Sequence, residues 1–170
     1  IRAKNFPAQY HFLVIDYPDD HLTPSQRDSL DGIISAIRSF PNAEVQVNRC
    51  KQIEIRRKYD FIFVPFPMCL QDNILKMLIE TKDPVVTIHI EEPASFNSVS
   101  RKIAGASACV LNDPAVAKKY EDIVGQGNVY IWNNLSVNME KLGPALSETP
   151  ERDIDVLFLG HPYPSRINFT

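Results

Sequence analysis

Six short, unbroken apolar runs punctuate the chain: Phe12–Ile15, Phe61–Val64, Val85–Ile90, Ala108–Leu111, Val129–Trp132 and Val156–Leu159. Each is brief, rich in β-branched and aromatic residues, and bounded by polar residues or proline, which predicts strands rather than helices. Their unbroken apolar character predicts strands covered on both faces, as in a parallel sheet with helices on each side. Ala43 to Val47 alternates instead, and reads as a weaker strand.

Helical patterns fill the gaps. Thr23-Pro24-Ser25-Gln26 carries an N-cap, a proline at the first helical position and a glutamine three residues after the cap. Leu30, Ile33, Ile34, Ile37 and Phe40 then fall on one face, and Pro41-Asn42 closes the helix. A second helix is predicted over Gln71 to Thr81, a third over about Ser95 to Ala104, and a shorter one over Cys50 to Lys58. A fourth begins at Asp113-Pro114 and runs to about Val124, with Gly125 as its stop. Strand and helix therefore alternate, which predicts an α/β domain with a doubly wound, mostly parallel, Rossmann-like sheet.

Asn138 to Arg152 reads as a linker, with Gly143-Pro144 and Pro150 and few large apolar residues. The run Val156 to Leu159 after it reads as the first strand of a second domain, so the expected division is 1–150 and 151–170. A last edge strand of the same sheet is the alternative. The chain opens on Ile1 rather than Met, so it is expected to be a cut or processed piece, folded but inactive alone.

Composition narrows the chemistry. The net charge of −3 lacks the basic excess of a nucleic-acid binder, so none is expected as a partner. No apolar run reaches the roughly 18 residues of a membrane span. The three cysteines, Cys50, Cys69 and Cys109, show no zinc spacing and read as reduced thiols in a cytoplasmic setting. Six glycines in 170 residues, with no G-x-G-x-x-G and no G-x-x-x-x-G-K-[ST], argue against a phosphate cradle. No metal cluster is expected.

Ligands of open α/β sheets bind beyond the carboxyl ends of the strands. That rule gathers Asp16, Tyr17, Asp19, Asp20 and His21 after the first strand, Glu91 and Glu92 after Val85–Ile90, Asn112 and Asp113 after Ala108–Leu111, and Asn133 and Asn134 after Val129–Trp132. Asp113 reads foremost as the cap of the helix that Pro114 begins. The acidic run at Asp19-Asp20 reads foremost as a solvated loop. His11 and His89 read as strand histidines satisfied by packing. Glu91-Glu92 is the most informative pair, since Pro93 restrains the chain there and places at least one carboxylate on the rim.

Three segments together resemble the CgeB-like (spore maturation protein) glycosyltransferases and their group 1 relatives. They are Val85–Pro93, then Ala108–Asp113 with Tyr120 and Asn128–Trp132, then Asp155–Gly160 with Tyr163-Pro164-Ser165-Arg166. The resemblance spans roughly residues 84 to 170 and implies the N-terminal, acceptor-side half of a two-domain GT-B architecture. It implies hexosyl transfer from a nucleotide sugar to an unknown acceptor, with no bound cofactor or metal. Glu91 or Asp16 would be the base of an inverting enzyme. Tyr17, Glu92, Asn112 and Asn133 would line the acceptor cleft. Gly160 and Arg166 would meet the donor diphosphate, a guanidinium being suited to two oxygens at once. His161-Pro162 departs from the small, flexible loop expected after that strand. The rival expectation is a non-catalytic α/β binding domain, such as a transferase relative that has lost its chemistry. A receiver-like module is disfavoured, because Val64-Pro65 stands where its phospho-acceptor aspartate would be.

Overall fold

A computed structural model describes residues 9–90 and 96–132. Six strands form one sheet: β1 (Tyr10–Asp16), β2 (Ala43–Arg49), β3 (Phe61–Pro65), β4 (Val85–His89), β5 (Ala108–Leu111) and β6 (Val129–Ile131). Every pairing is parallel, in the order β2-β1-β3-β4-β5-β6. The sheet is thus wholly parallel, and the fold is α/β and doubly wound. All five residues of β4 are buried, as its largely apolar run required. Edge strand β2 has no fully buried residue, in keeping with its alternating sequence.

Among the described residues four α-helices connect the strands: α1 (Pro24–Arg38), α2 (Asp72–Glu80), α3 (Phe96–Val99) and α4 (Ala117–Val124). The Thr23 hydroxyl accepts from the Gln26 amide, while the Gln26 side chain accepts from the Thr23 amide, forming the capping box read in the sequence. Asp113 caps a 3-10 turn over Pro114–Val116 that leads into α4. Gly125 ends α4 at φ +94°, a conformation that glycine adopts without strain.

Register assigns the two faces of the sheet. Val14, Phe63, Val86 and Ala108 align across neighbouring strands. So do Val64, Thr87, Cys109 and Val129, one residue out of phase and therefore on the opposite face. Helix α1 lies on the first face, where Ile37 and Phe40 wall a groove with Phe12 and Phe63. Helix α4 lies on the second, where Tyr120 meets His89. Between sheet and helices sits a core that includes Leu13, Ile15, Leu30, Ile62, Leu75, Leu78 and Leu111.

Three expectations change. Cys50 to Lys58 forms no helix; the chain there runs along the β2 edge, where the Glu54 carbonyl accepts from Gln46 and Asn48. Those bonds hold the segment beside β2 through side chains, without a helix of its own. Among the described residues the third helix covers Phe96–Val99 and gives way before Ala104 to turns through Gly105 at φ +95°. Phe40 lies beyond the end of α1 and is half exposed instead of completing its buried stripe. The linker at 138–152 and the strand at 156–159 lie outside the described residues.

Candidate functional site

Strand β1 is flanked by β2 on one side and β3 on the other, so the winding reverses between β1 and β3. A crevice is expected beyond the carboxyl ends of these two strands. Here Tyr17 links the two strand ends from the inside. Tyr17, immediately after β1, is fully buried. Its hydroxyl donates to the Pro65 carbonyl at 2.6 Å, with the Phe66 carbonyl at 3.2 Å. Burial, reinforced by Cys69, Cys50 and Asp16, holds the phenol well above its ordinary pKa, so it remains a donor. Phe66, also buried, turns the chain with φ +49°, and its carbonyl accepts from the Cys69 amide at 2.9 Å. Tyr17 therefore supports the rim from inside and presents no surface to a ligand.

Asp16, the last residue of β1, accepts from the Arg27 guanidinium at 2.7 Å and from the Tyr17 amide at 2.7 Å. Arg27 also pairs with Asp19 at 3.1 Å, stands 3.9 Å from Asp31, and donates to the Tyr17 carbonyl. One cation thus gathers three carboxylates and a carbonyl around the β1–α1 loop. Asp19, at 88% side-chain exposure, confirms the loop as largely solvated.

The second polar centre lies at the ends of β4 and β5. His89 closes β4 and is 1% exposed. Its Nε2 is 2.9 Å from the Thr87 hydroxyl, and its Nδ1 is 3.2 Å from the Tyr120 hydroxyl. The Thr87 hydroxyl also lies 3.1 Å from the Cys109 sulfur. The Tyr120 ring meets His89 edge-on and packs in turn against Phe96 of α3. Burial pushes the imidazole down to about 3, so the ring is neutral at ordinary pH. A neutral imidazole donates from one nitrogen and accepts at the other, and hydroxyl partners serve either tautomer.

Asn112 follows β5 and ties down the exit of β4. Its backbone amide donates to the His89 carbonyl at 3.2 Å, and its side-chain amide donates to the Ile90 carbonyl. Among the described residues no donor meets its buried Oδ1. The next residues after Ile90 are Glu91 and Glu92, which lie outside the described residues, as do Asn133, Gly160 and Arg166. Among the sequence-read candidates, the structure therefore places Asp16 with Tyr17 at β1, and Asn112 with His89 at β4–β5.

Two features escaped the sequence reading. Arg27 was one charged residue in a helix, and nothing local marked it as the partner of Asp16. Thr87 and His89, two polar residues two apart in the most apolar strand, were a legible signal that one face of β4 carries a polar centre. His89 is satisfied within the interior, in line with its reading as a packing residue. His11 lies half-buried, its Nδ1 3.3 Å from Glu44. Among the described residues no His, Cys, Asp or Glu cluster could hold a metal ion. Cys50, Cys69 and Cys109 form no disulfide among the described residues, and the first and last are buried. No helix of the described residues is long and apolar enough to cross a membrane.

No protein-family model, curated protein or solved structure matches this chain.

Proposed function

We propose that this chain is the acceptor-side domain of a two-domain, GT-B-type glycosyltransferase. It would work in the cytoplasm, carrying a sugar from a nucleotide donor to an acceptor held over the carboxyl rim. The observation that carries the reading is the buried Tyr17, which joins the ends of β1 and β3 through the Pro65 carbonyl. It lies directly after β1, and the turn from β1 to α1 has no glycine to bring backbone close to a phosphate. The rim is left to a ligand other than the nucleotide, and the donor falls to a second domain, where Gly160 and Arg166 would meet its diphosphate.

In this reading Glu91 is the base of an inverting reaction. Asp16 is the weaker candidate, since its carboxylate is committed to Arg27 and the loop. Glu92, Asn112 and Asn133 would surround the acceptor. The domain takes no cofactor or metal of its own, the nucleotide sugar being substrate.

Calorimetric titration of UDP, GDP and UDP-glucose into this chain and into the two-domain protein tests the reading. Binding by the two-domain protein alone is the expected result. Tight binding to this chain would give it a nucleotide site of its own and overturn the assignment. Binding to neither would favour a non-catalytic interaction domain. Exchange of Glu91→Gln in the two-domain protein should abolish turnover with folding intact, and near-normal turnover would remove Glu91 from that role.

A further inference from the structure

The chain Cys109–Thr87–His89–Tyr120 is a run of polar side chains through the interior between the sheet and α4. His89, Thr87, Cys109 and Tyr120 are each at most 1% exposed. Neighbouring members lie 2.9–3.2 Å apart. Each buried polar group must be satisfied, and one left without a partner carries a desolvation cost. A run of this kind therefore has a narrow choice of geometries, unlike a cluster of leucines, which can repack.

The run converges on one point. His89 is the last residue of β4, and its carbonyl accepts from the Asn112 amide at 3.2 Å. Asn112 in turn bonds the Ile90 carbonyl through its side chain. The ring of His89 is held from two sides, by Thr87 on its own strand and by Tyr120 on α4. Tyr120 is itself braced by Phe96 on α3. Two strands and two helices thus meet at the residue from which the chain leaves the sheet toward Glu91.

We infer that His89 and Tyr120 are positioning residues for the β4–β5 rim. Their hydrogen bond fixes the His89 carbonyl and, through Asn112, the path of the chain at Ile90. Neither residue touches solvent, so they act through the backbone rather than on a ligand. The inference uses the proposed function only in taking this rim as the working site; the mechanical claim stands apart from sugar chemistry.

Tyr120→Phe keeps the ring contacts with His89 and Phe96 and removes the hydroxyl. Amide hydrogen exchange of this chain, followed residue by residue, reads the result. The Asn112 amide is expected to exchange roughly ten-fold faster in the variant, through a local opening, with amides of β1 and β2 unchanged. Thr87→Val, which removes the other partner of His89 at nearly constant shape, should show the same local pattern. Unchanged exchange at Asn112 in both variants would overturn the inference. So would an equal rise throughout the sheet, or failure of both variants to fold, because the network would then support the whole domain and not the rim. In the two-domain protein with UDP-glucose as donor, Tyr120→Phe is expected to lower kcat several-fold with the donor KM unchanged. Absence of turnover in the unaltered protein would defeat the glycosyltransferase reading and leave the Asn112 measurement as the test of positioning.

Discussion

Acidification weakens the fold through His89 before it protonates most carboxylates. The ring is buried, and its pKa falls from the ordinary 6.5 to about 3 because burial disfavours the imidazolium. In the unfolded chain the same ring takes up its proton near 6.5. As pH drops, the unfolded state is therefore protonated first and gains free energy that the folded state does not share. Stability is fully present above about pH 6.5 and is lost progressively toward pH 3, with a slope of at most about 1.4 kcal/mol per pH unit. Between pH 7.5 and 4.5 the loss amounts to about 3 kcal/mol, a large part of the 5–15 kcal/mol that holds a typical domain together. Urea unfolding followed by far-UV circular dichroism, at pH 7.5, 6.0 and 4.5, measures it. His89→Gln removes the titration, so the stability difference between the two proteins should shift by about 3 kcal/mol across that range. Contributions from other groups cancel in that difference. A difference that stays constant with pH would refute the reasoning, because it would mean that the folded protein accommodates the imidazolium as readily as water does.

Three further perturbations follow from the geometry. Tyr17→Phe removes the donor to the Pro65 carbonyl and should destabilise the chain by about 1–3 kcal/mol in urea unfolding, with the slope unchanged. Thr23→Ala breaks the capping box of α1 and should cost about 1 kcal/mol; adding Gln26→Ala should cost less than the sum of the separate changes, as a double-mutant cycle would show. Gly125→Ala meets both a left-handed φ of +94° and the Asn128 side chain 3.2 Å from the new Cβ, whereas Gly127→Ala, at φ +82°, meets open space. Both should lower the melting temperature, Gly125→Ala by more, each at about 1 kcal/mol for the backbone alone.

Much of the fold was legible because it rests on local signals. The largely apolar run Val85–Ile90 required cover on both faces, and β4 has it. The Thr23 cap with Gln26, and the Asp113 cap before Pro114, are satisfied by neighbours two or three residues away, so spacing alone reveals them. Cys50 to Lys58, read as a short helix, carries no N-cap signal. The segment is held by hydrogen bonds from Gln46 and Asn48, which lie on another element.

The rim shows where local signals stop. Sequence placed Asp16, Tyr17 and Asn112 at the carboxyl ends of strands, because strand ends and chain order suffice for that. It could not say that Tyr17 turns inward to Pro65, that Arg27 claims Asp16 across eleven residues, or that His89 and Tyr120 meet across thirty-one. Those facts depend on which strands lie side by side and which face each helix covers. Hydrophobic periodicity specifies the elements one at a time, since each must bury a face. Only packing of the elements together decides which polar groups lose their water, and so which must find one another in the interior.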